Sequence, residues 1–215
     1  MILKWLTISF TVAGTLIDLK TRYIIPVDLN SILYWNAILL VEFFRDLNMP
    51  EKSEKYSIIA EEWLEAVTAI LWHDEVGAWL DYDIINEIKR DYFYPTNIAP
   101  LWTGCYKGNG TEVGKIMKYL RKTKIMEFDR HYTYPGGIPT TMEHTSEQWD
   151  YPNAWPPLQY IMIMGLDNTN DKWAKELAFE MAEIWVRSNY KAFNETGVMY
   201  EKVSVVIILS GVSCN

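Results

Sequence analysis

The chain has 215 residues, of which 49% are hydrophobic and 22% charged, enough length and apolar content for one domain with a sizeable core and far from a disordered composition. A formal net charge of −8 without any basic cluster excludes a nucleic-acid surface, which must concentrate Lys and Arg against phosphate. With 10 Trp, 14 Tyr and 7 Phe the chain is rich in flat rings; most belong in a core, and the rest suit the apolar C–H faces of sugars.

Residues 1–13 (MILKWLTISFTVA) hold one Lys followed by an apolar stretch and resemble a short signal peptide with a poor basic start. After Pro26, residues 28–46 are predicted as a helix with Asp28 as N-cap and Leu29, Ile32, Leu33, Asn36, Leu39, Leu40 and Phe43 on one side. Residues 52–73 form a second amphipathic helix, with Tyr56, Ile59, Ala60, Trp63, Leu64, Val67, Ile70 and Leu71 at three- and four-residue spacing. The two should pack antiparallel. Further helices are predicted at 112–122, 153–166 and 171–190, the last carrying Trp173, Leu177, Ala178, Met181, Ile184 and Trp185 on one side.

Between the helices lie two long loops rich in Tyr, Pro, Gly and Asn, at 76–99 and 128–151; in a compact domain such loops usually serve function. No short repeat is present, which argues against a solenoid. Paired helices with long loops at one end predict an all-α helical toroid. The apolar run 203–212 falls short of the ~20 residues a spanning helix needs, so no transmembrane segment is predicted. Cys105 and Cys214 give neither a disulfide framework nor a metal spacing, and His73, His131 and His144 lack ligand-like spacing, so no metal is expected. Asn109-Gly110-Thr111 and Asn194-Glu195-Thr196 fit the N-glycosylation acceptor pattern, weak support for secretion.

The chemistry concentrates at 134–159, YPGGIPTTMEHTSEQWDYPNAWPPLQ. Gly136 and Gly137 permit close backbone approach, and Gln148, Trp149, Asp150, Asn153 and Trp155 set hydrogen-bonding groups among aromatic faces, the mixture a sugar requires. On residue types alone the same string serves equally well as a turn followed by an Asn153 helix cap.

The string Gln148-Trp149-Asp150-Tyr151-Pro152-Asn153-Ala154-Trp155-Pro156-Pro157-Leu158-Gln159 resembles the second trehalase signature, Gln-Trp-Asp-x-Pro-x-Gly/Ala-Trp-x-Pro. The resemblance to animal, particularly insect-type, trehalases runs from about Gly14 to Lys202. It takes in DLKTRYIIPVDLN at 18–30, GAWLDYD at 77–83 and YPTNIAPLWTG at 94–104; Ser146 stands where Gly is expected. Val198-Met199-Tyr200-Glu201-Lys202 is similar to the family segment whose Glu activates water, so the resemblance assigns the general base to Glu201.

The resemblance implies an incomplete (α/α)6 toroid and inverting hydrolysis of α,α-trehalose to two glucose molecules. It requires no cofactor and implies a secreted or extracellular-side location. It also implies that substrate contacts come from Gln148, Trp149, Asp150, Asn153 and Trp155.

A Ser-Gly-Trp-Asp segment with the general acid, and the sugar-gripping arginines, should lie upstream of Gly14 and are not found here. The expected organisation is therefore an unrelated segment at 1–13, a partial catalytic domain at 14–202 and an unrelated apolar tail at 203–215. Hydrolysis should be impaired, and apolar surface should be exposed where upstream helices would pack. A glucoamylase-like toroid would lack the 148–159 signature. The remaining alternative is a catalytically dead fragment that binds sugar or a full-length partner.

Overall fold

The computed structural model describes residues 21–108, 111–126 and 133–206. His131, Cys214, Asn109 and Gly110 of the first sequon, and segments 1–13 and 207–215 lie outside the described residues. A 3₁₀ turn (Thr21–Tyr23) and a two-residue strand β1 (Ile24–Ile25) lead into α1 (Val27–Asp46) and α2 (Pro50–Ile70). Four short strands follow: β2 (Trp72–His73), β3 (Ala78–Trp79), β4 (Tyr82–Asp83) and β5 (Ile88–Lys89). Next come a 3₁₀ turn at Pro95–Ile98, α3 (Ala99–Thr103) and α4 (Thr111–Lys122). The chain then forms β6 (Asn153–Ala154), α5 (Pro156–Asp167), α6 (Lys172–Thr196) and β7 (Val203–Ser204).

The helices pack as hairpins in a row. α1 lies against α2 and α3, α3 against α5, and α5 against α6. α4 contributes Val113, Ile116, Met117 and Leu120 to the core that Trp79, Leu101, Met162 and Leu177 also fill. This is an arc of an (α/α)6 toroid, the predicted fold.

Where the ring would continue, flanks stay open: Leu29, Leu33, Trp35 and Phe43 on α1, and Phe179, Val186 and Tyr190 on α6, are exposed. α1 is also the one helix among the described residues long and apolar enough to cross a membrane by length and composition alone.

Several local expectations are corrected. Asp28 is not the N-cap of α1; Pro26 holds that place in extended geometry, and Asp28 lies in the first turn. The buried stripe of α1 is Val27, Ser31, Ala37 and Val41 rather than the bulkier Leu29, Leu33 and Phe43, because close helix contact is made through small residues. α2 stops at Ile70, and His73 is in β2.

The predicted helix at 153–166 begins only at Pro156, and Asn153 sits in β6 instead of capping it. Trp155, at φ −121 and ψ 136, is held extended by the proline that follows. α6 runs on past Tyr190 to Thr196, where Gly197 at φ 71 ends it in the left-handed conformation. The 76–99 loop contains β3, β4, β5 and the start of α3; strands of two residues are too short to show an alternating pattern.

Candidate active site

Three chain segments meet at the N-terminal ends of α1, α3 and α5. The Val27 N–H, at the start of α1, donates to Asp81 Oδ1 at 2.9 Å. Burial pushes the Tyr94 hydroxyl up to about 12, with Arg90 pulling it down and the charges of Asp81 and Asp150 adding to the rise. Tyr94 begins the turn before α3, and Asp150 lies in the loop before α5. The GAWLDYD, YPTNIAPLWTG and QWDYPNAWPP motifs, scattered in sequence, thus occupy one end of the arc.

Within the 134–159 segment the backbone is tied at many points. Thr140 N–H donates to the Asn153 carbonyl (3.1 Å) and Tyr151 N–H to the Glu143 carbonyl (3.0 Å). Gln159 acts as a surrogate strand partner for Ile138: its Oε1 accepts the Ile138 N–H at 2.7 Å and its Nε2 donates to the Ile138 carbonyl at 2.8 Å. The Tyr151–Pro152 peptide is cis.

The five predicted substrate contacts divide by what else they hold. Trp149 stacks on Trp155 with ring centroids 3.7 Å apart and planes 15° apart. Trp155 is buried, and its Nε1 donates to the Gln148 carbonyl at 3.1 Å. Asp150 is buried; its Oδ1 accepts from the Thr141 hydroxyl at 3.0 Å and its Oδ2 from the Thr145 hydroxyl. Asn153 donates through Nδ2 to the Asp150 carbonyl at 2.8 Å. Gln148 has its side chain in solvent, and Trp149 is half-buried. Asp150, Asn153 and Trp155 therefore shape the loop, and Gln148 and Trp149 form its open edge.

Glu201 comes to this loop through a strand. β7 pairs antiparallel with β6, with Asn153 opposite Ser204 and Ala154 opposite Val203, and Glu201 is exposed two residues before Val203. Val205 N–H donates to the Pro152 carbonyl at 2.8 Å, and Gly136 N–H to the Val205 carbonyl at 3.1 Å. A Cβ on Gly136 would lie 2.1 Å from the Ser204 carbonyl oxygen, so only glycine allows this approach. Val205 is fully buried. Residues 203–206, read from sequence as the start of a separate tail, are thus built into the loop's framework.

The sequence places Asp81 among the carboxylates near the site, with Asp28, Asp83 and Asp150, but residue-type patterns showed neither its burial nor the place of Arg90 at this end. Asp81 is buried, and its carboxyl is pushed up to about 6 by burial, against the pull of the Val27 N–H and Arg90 and with a push from Asp28. Asp28 is likewise raised by burial. Burial also raises Asp83, but Asn86 and Ile85, donating from backbone and side chain, outweigh it and hold that carboxyl low. Arg90 is buried beneath this cluster, over the Tyr92 ring at 5.7 Å. A carboxylate between Leu80 and Tyr82, in the link from β3 to β4, carries no sequence signal of burial. Among the described residues no group of His, Cys, Asp and Glu could hold a metal.

A family model described as Trehalase matches residues 3–211, a span wider at both ends than the 14–202 read from the sequence. The chain is 58% identical over 206 residues to the trehalase of Apis mellifera, covering 95% of this chain and 32% of that one. It is 38% identical over 192 residues to the trehalase of Homo sapiens, covering 89% and 32%. It spans about a third of the length of the curated relatives it matches.

Among solved structures, a neutral trehalase of Saccharomyces cerevisiae superposes with a TM-score of 0.70 at 25% identity, over 87% of this chain and 35% of that one. A mannosylglycerate hydrolase of Thermus thermophilus shares the fold, with a TM-score of 0.61 at 16% identity over 86% of this chain and 41% of that one.

Proposed function

This chain belongs to the trehalase family of glycoside hydrolases, and from that premise we propose that it forms the part of an α,α-trehalase carrying the catalytic base, Glu201, and the aromatic edge of the sugar site. The observation that supports this most is the β6–β7 pairing, which ties the strand two residues after Glu201 to Asn153 and Ala154 of the loop that carries Gln148 and Trp149. Inverting hydrolysis needs a base that activates water on one face of the sugar and an acid that protonates the leaving oxygen on the other, with carboxyls about 6.5–9.5 Å apart.

In this reading Glu201 accepts the proton of the attacking water, Trp149 offers its face to the sugar C–H groups, and Gln148 binds hydroxyls. Asp150, Asn153 and Trp155 hold the loop in shape. The acid and the sugar-gripping arginines come from a Ser-Gly-Trp-Asp segment and its surroundings, outside these 215 residues, so the chain by itself should be impaired. The location is on the secretory side of the membrane, and glycosidase-sensitive mobility of Asn194 in a secreting cell would support it.

The test replaces the matching segment of the honeybee trehalase with residues 21–206 of this chain. The hybrid should hydrolyse trehalose, releasing one α- and one β-glucose by proton NMR of fresh product, and its Glu201→Gln variant should lose about 10²–10⁴-fold in kcat. An active Glu201→Gln hybrid would overturn the base assignment. Robust hydrolysis by the 215-residue chain alone would overturn the division of labour between the two carboxylates. Sugar binding without hydrolysis by the hybrid would favour a binding fragment.

A further inference from the structure

Asp81 lies outside the set of substrate contacts, yet it touches the start of α1 and the segment after β5 and faces the Tyr94 turn. Its side chain is 5% exposed. Its Oδ1 accepts the Val27 N–H from 54 residues away in the chain, and its own carbonyl accepts the Arg90 N–H at 2.8 Å. The charged and titratable groups facing it are Asp28 from α1, Arg90 from the segment after β5, and Tyr94 from the turn before α3. Tyr94 in turn lies within the field of Asp150 from the loop before α5.

The Val27 N–H belongs to the first turn of a 20-residue helix, where backbone donors have no acceptor inside the helix and negative charge is favoured. We propose that Asp81 is a positioning residue for the reaction: its charge state governs how the N-terminus of α1 and the Tyr94 turn sit against the loop carrying Asp150, and so contributes the acid limb of the activity profile. This rests on the trehalase reading given above.

When ionised, Asp81 gives Val27 a charge-assisted acceptor, stronger than a neutral one, and presents Arg90 and Tyr94 with a fixed negative charge. When protonated, it leaves Arg90 without that counter-charge and weakens the hold on α1. Burial brings the change to about pH 6, inside the range where an enzyme works. Because the Val27 donor pulls the value down, deleting that donor must push it further up. This coupling separates an ionising positioning residue from an inert anchor.

Two measurements test it. In the 215-residue chain, the Asp81 side-chain carboxyl carbon, assigned by its disappearance in Asp81→Asn, is titrated by NMR from about pH 4 to pH 8. Its midpoint is expected near 6. It should shift to higher pH in Val27→Pro, which removes the donor at a helix position that accepts proline. Titration in the ordinary carboxylate range, or a midpoint unmoved by Val27→Pro, would overturn the proposal.

In the honeybee hybrid, Asp81→Asn is expected to lose the acid-limb component near pH 6 in kcat, and Val27→Pro to move it alkaline. A uniform loss at every pH with the limb in place is the signature of a structural anchor and would overturn the proposal. A hybrid without any trehalose hydrolysis, alongside an Asp81 that titrates near 6 and moves in Val27→Pro, would sink the trehalase reading and support the coupling of Asp81 to α1.

Discussion

Replacing Gly136 by Ala is the sharpest perturbation of the Glu201 segment that leaves Glu201 itself untouched. The added Cβ would stand 2.1 Å from the Ser204 carbonyl oxygen, 2.9 Å from Val205 Cα and 3.0 Å from the Ser204 carbonyl carbon, all backbone atoms that cannot rotate away. Real Cβ contacts essentially never fall below 3.0 Å, so β7 or the turn at 134–138 must yield by about 1 Å, at an overpacking cost of about 1–3 kcal/mol. The Gly136 N–H bond to the Val205 carbonyl goes with it. A displacement of about 1 Å in a reacting group can cost ~10²-fold, and Glu201 is carried on the displaced segment. In the honeybee hybrid, kcat should therefore fall by about two orders of magnitude, with trehalose affinity, measured on Glu201→Gln and Gly136→Ala/Glu201→Gln, much less affected. A Gly136→Ala hybrid with parental kcat would refute the claim that β7 positions the base.

Gly114, in α4 with nothing within 4 Å of an added Cβ, should behave oppositely: Gly114→Ala is expected to raise stability by about 0.5–1 kcal/mol in urea unfolding. Asp150→Ala strands the Thr141 and Thr145 hydroxyls that it accepts from and should cost at least about 1–3 kcal/mol; an unchanged urea midpoint would count against the loop-shaping role. Trp155→Ala removes a buried ring stacked on Trp149 and should cost about 3–5 kcal/mol, with Trp149 fluorescence shifting toward that of a solvated indole.

For Asp81 the folded value of about 6 lies above the ordinary 3.8, so the folded state binds this proton more tightly than the unfolded one. Its contribution to stability is complete below about pH 4 and is lost as pH rises to about 6. Asp81→Asn lacks that loss, so between pH 4 and pH 7 the difference should move in the variant's favour by up to about 3 kcal/mol; a difference that is the same at both pH values would disprove the sign.

The helices α1, α2, α4 and α6 were legible because long periodic runs such as Trp63, Val67 and Leu71 have few alternative structures. Which flank they bury was not. Leu29, Leu33 and Phe43 are large apolar residues of α1 and lie open, whereas Ser31 and Ala37 are buried; in an arc of a ring, a flank's burial depends on the next hairpin as much as on its own side chains. The start of α5 was misplaced because the periodic run was extended backwards through Pro156 and Pro157, which fix the extended Trp155 ahead of them.

At the site, the density of Gln, Asp, Asn and Trp at 148–155 marked the loop, but residue types could not separate the open Gln148 and Trp149 from the Asp150, Asn153 and Trp155 that hold the loop together. The expectation that Glu201 is the base rests on resemblance to a family segment alone, since its neighbours Tyr200 and Lys202 give a carboxylate no distinguishing mark. Its place is set by pairing with residues far back in the chain.

That pairing also orders events during folding. The α1–α2 and α5–α6 hairpins close between neighbours in sequence and carry a small loop-closure cost, whereas β7 can settle only once Gly136, Pro152 and the β6 residues Asn153 and Ala154 already stand where its hydrogen bonds require them. On that ordering β7, and with it the neighbouring Glu201 segment, is expected to dock late onto a scaffold built without it. A population of molecules can hold every helix and bury nearly all of the core while the segment bearing Glu201 is still undocked. Catalytic competence should consequently return more slowly than helical circular dichroism when the complete enzyme is refolded.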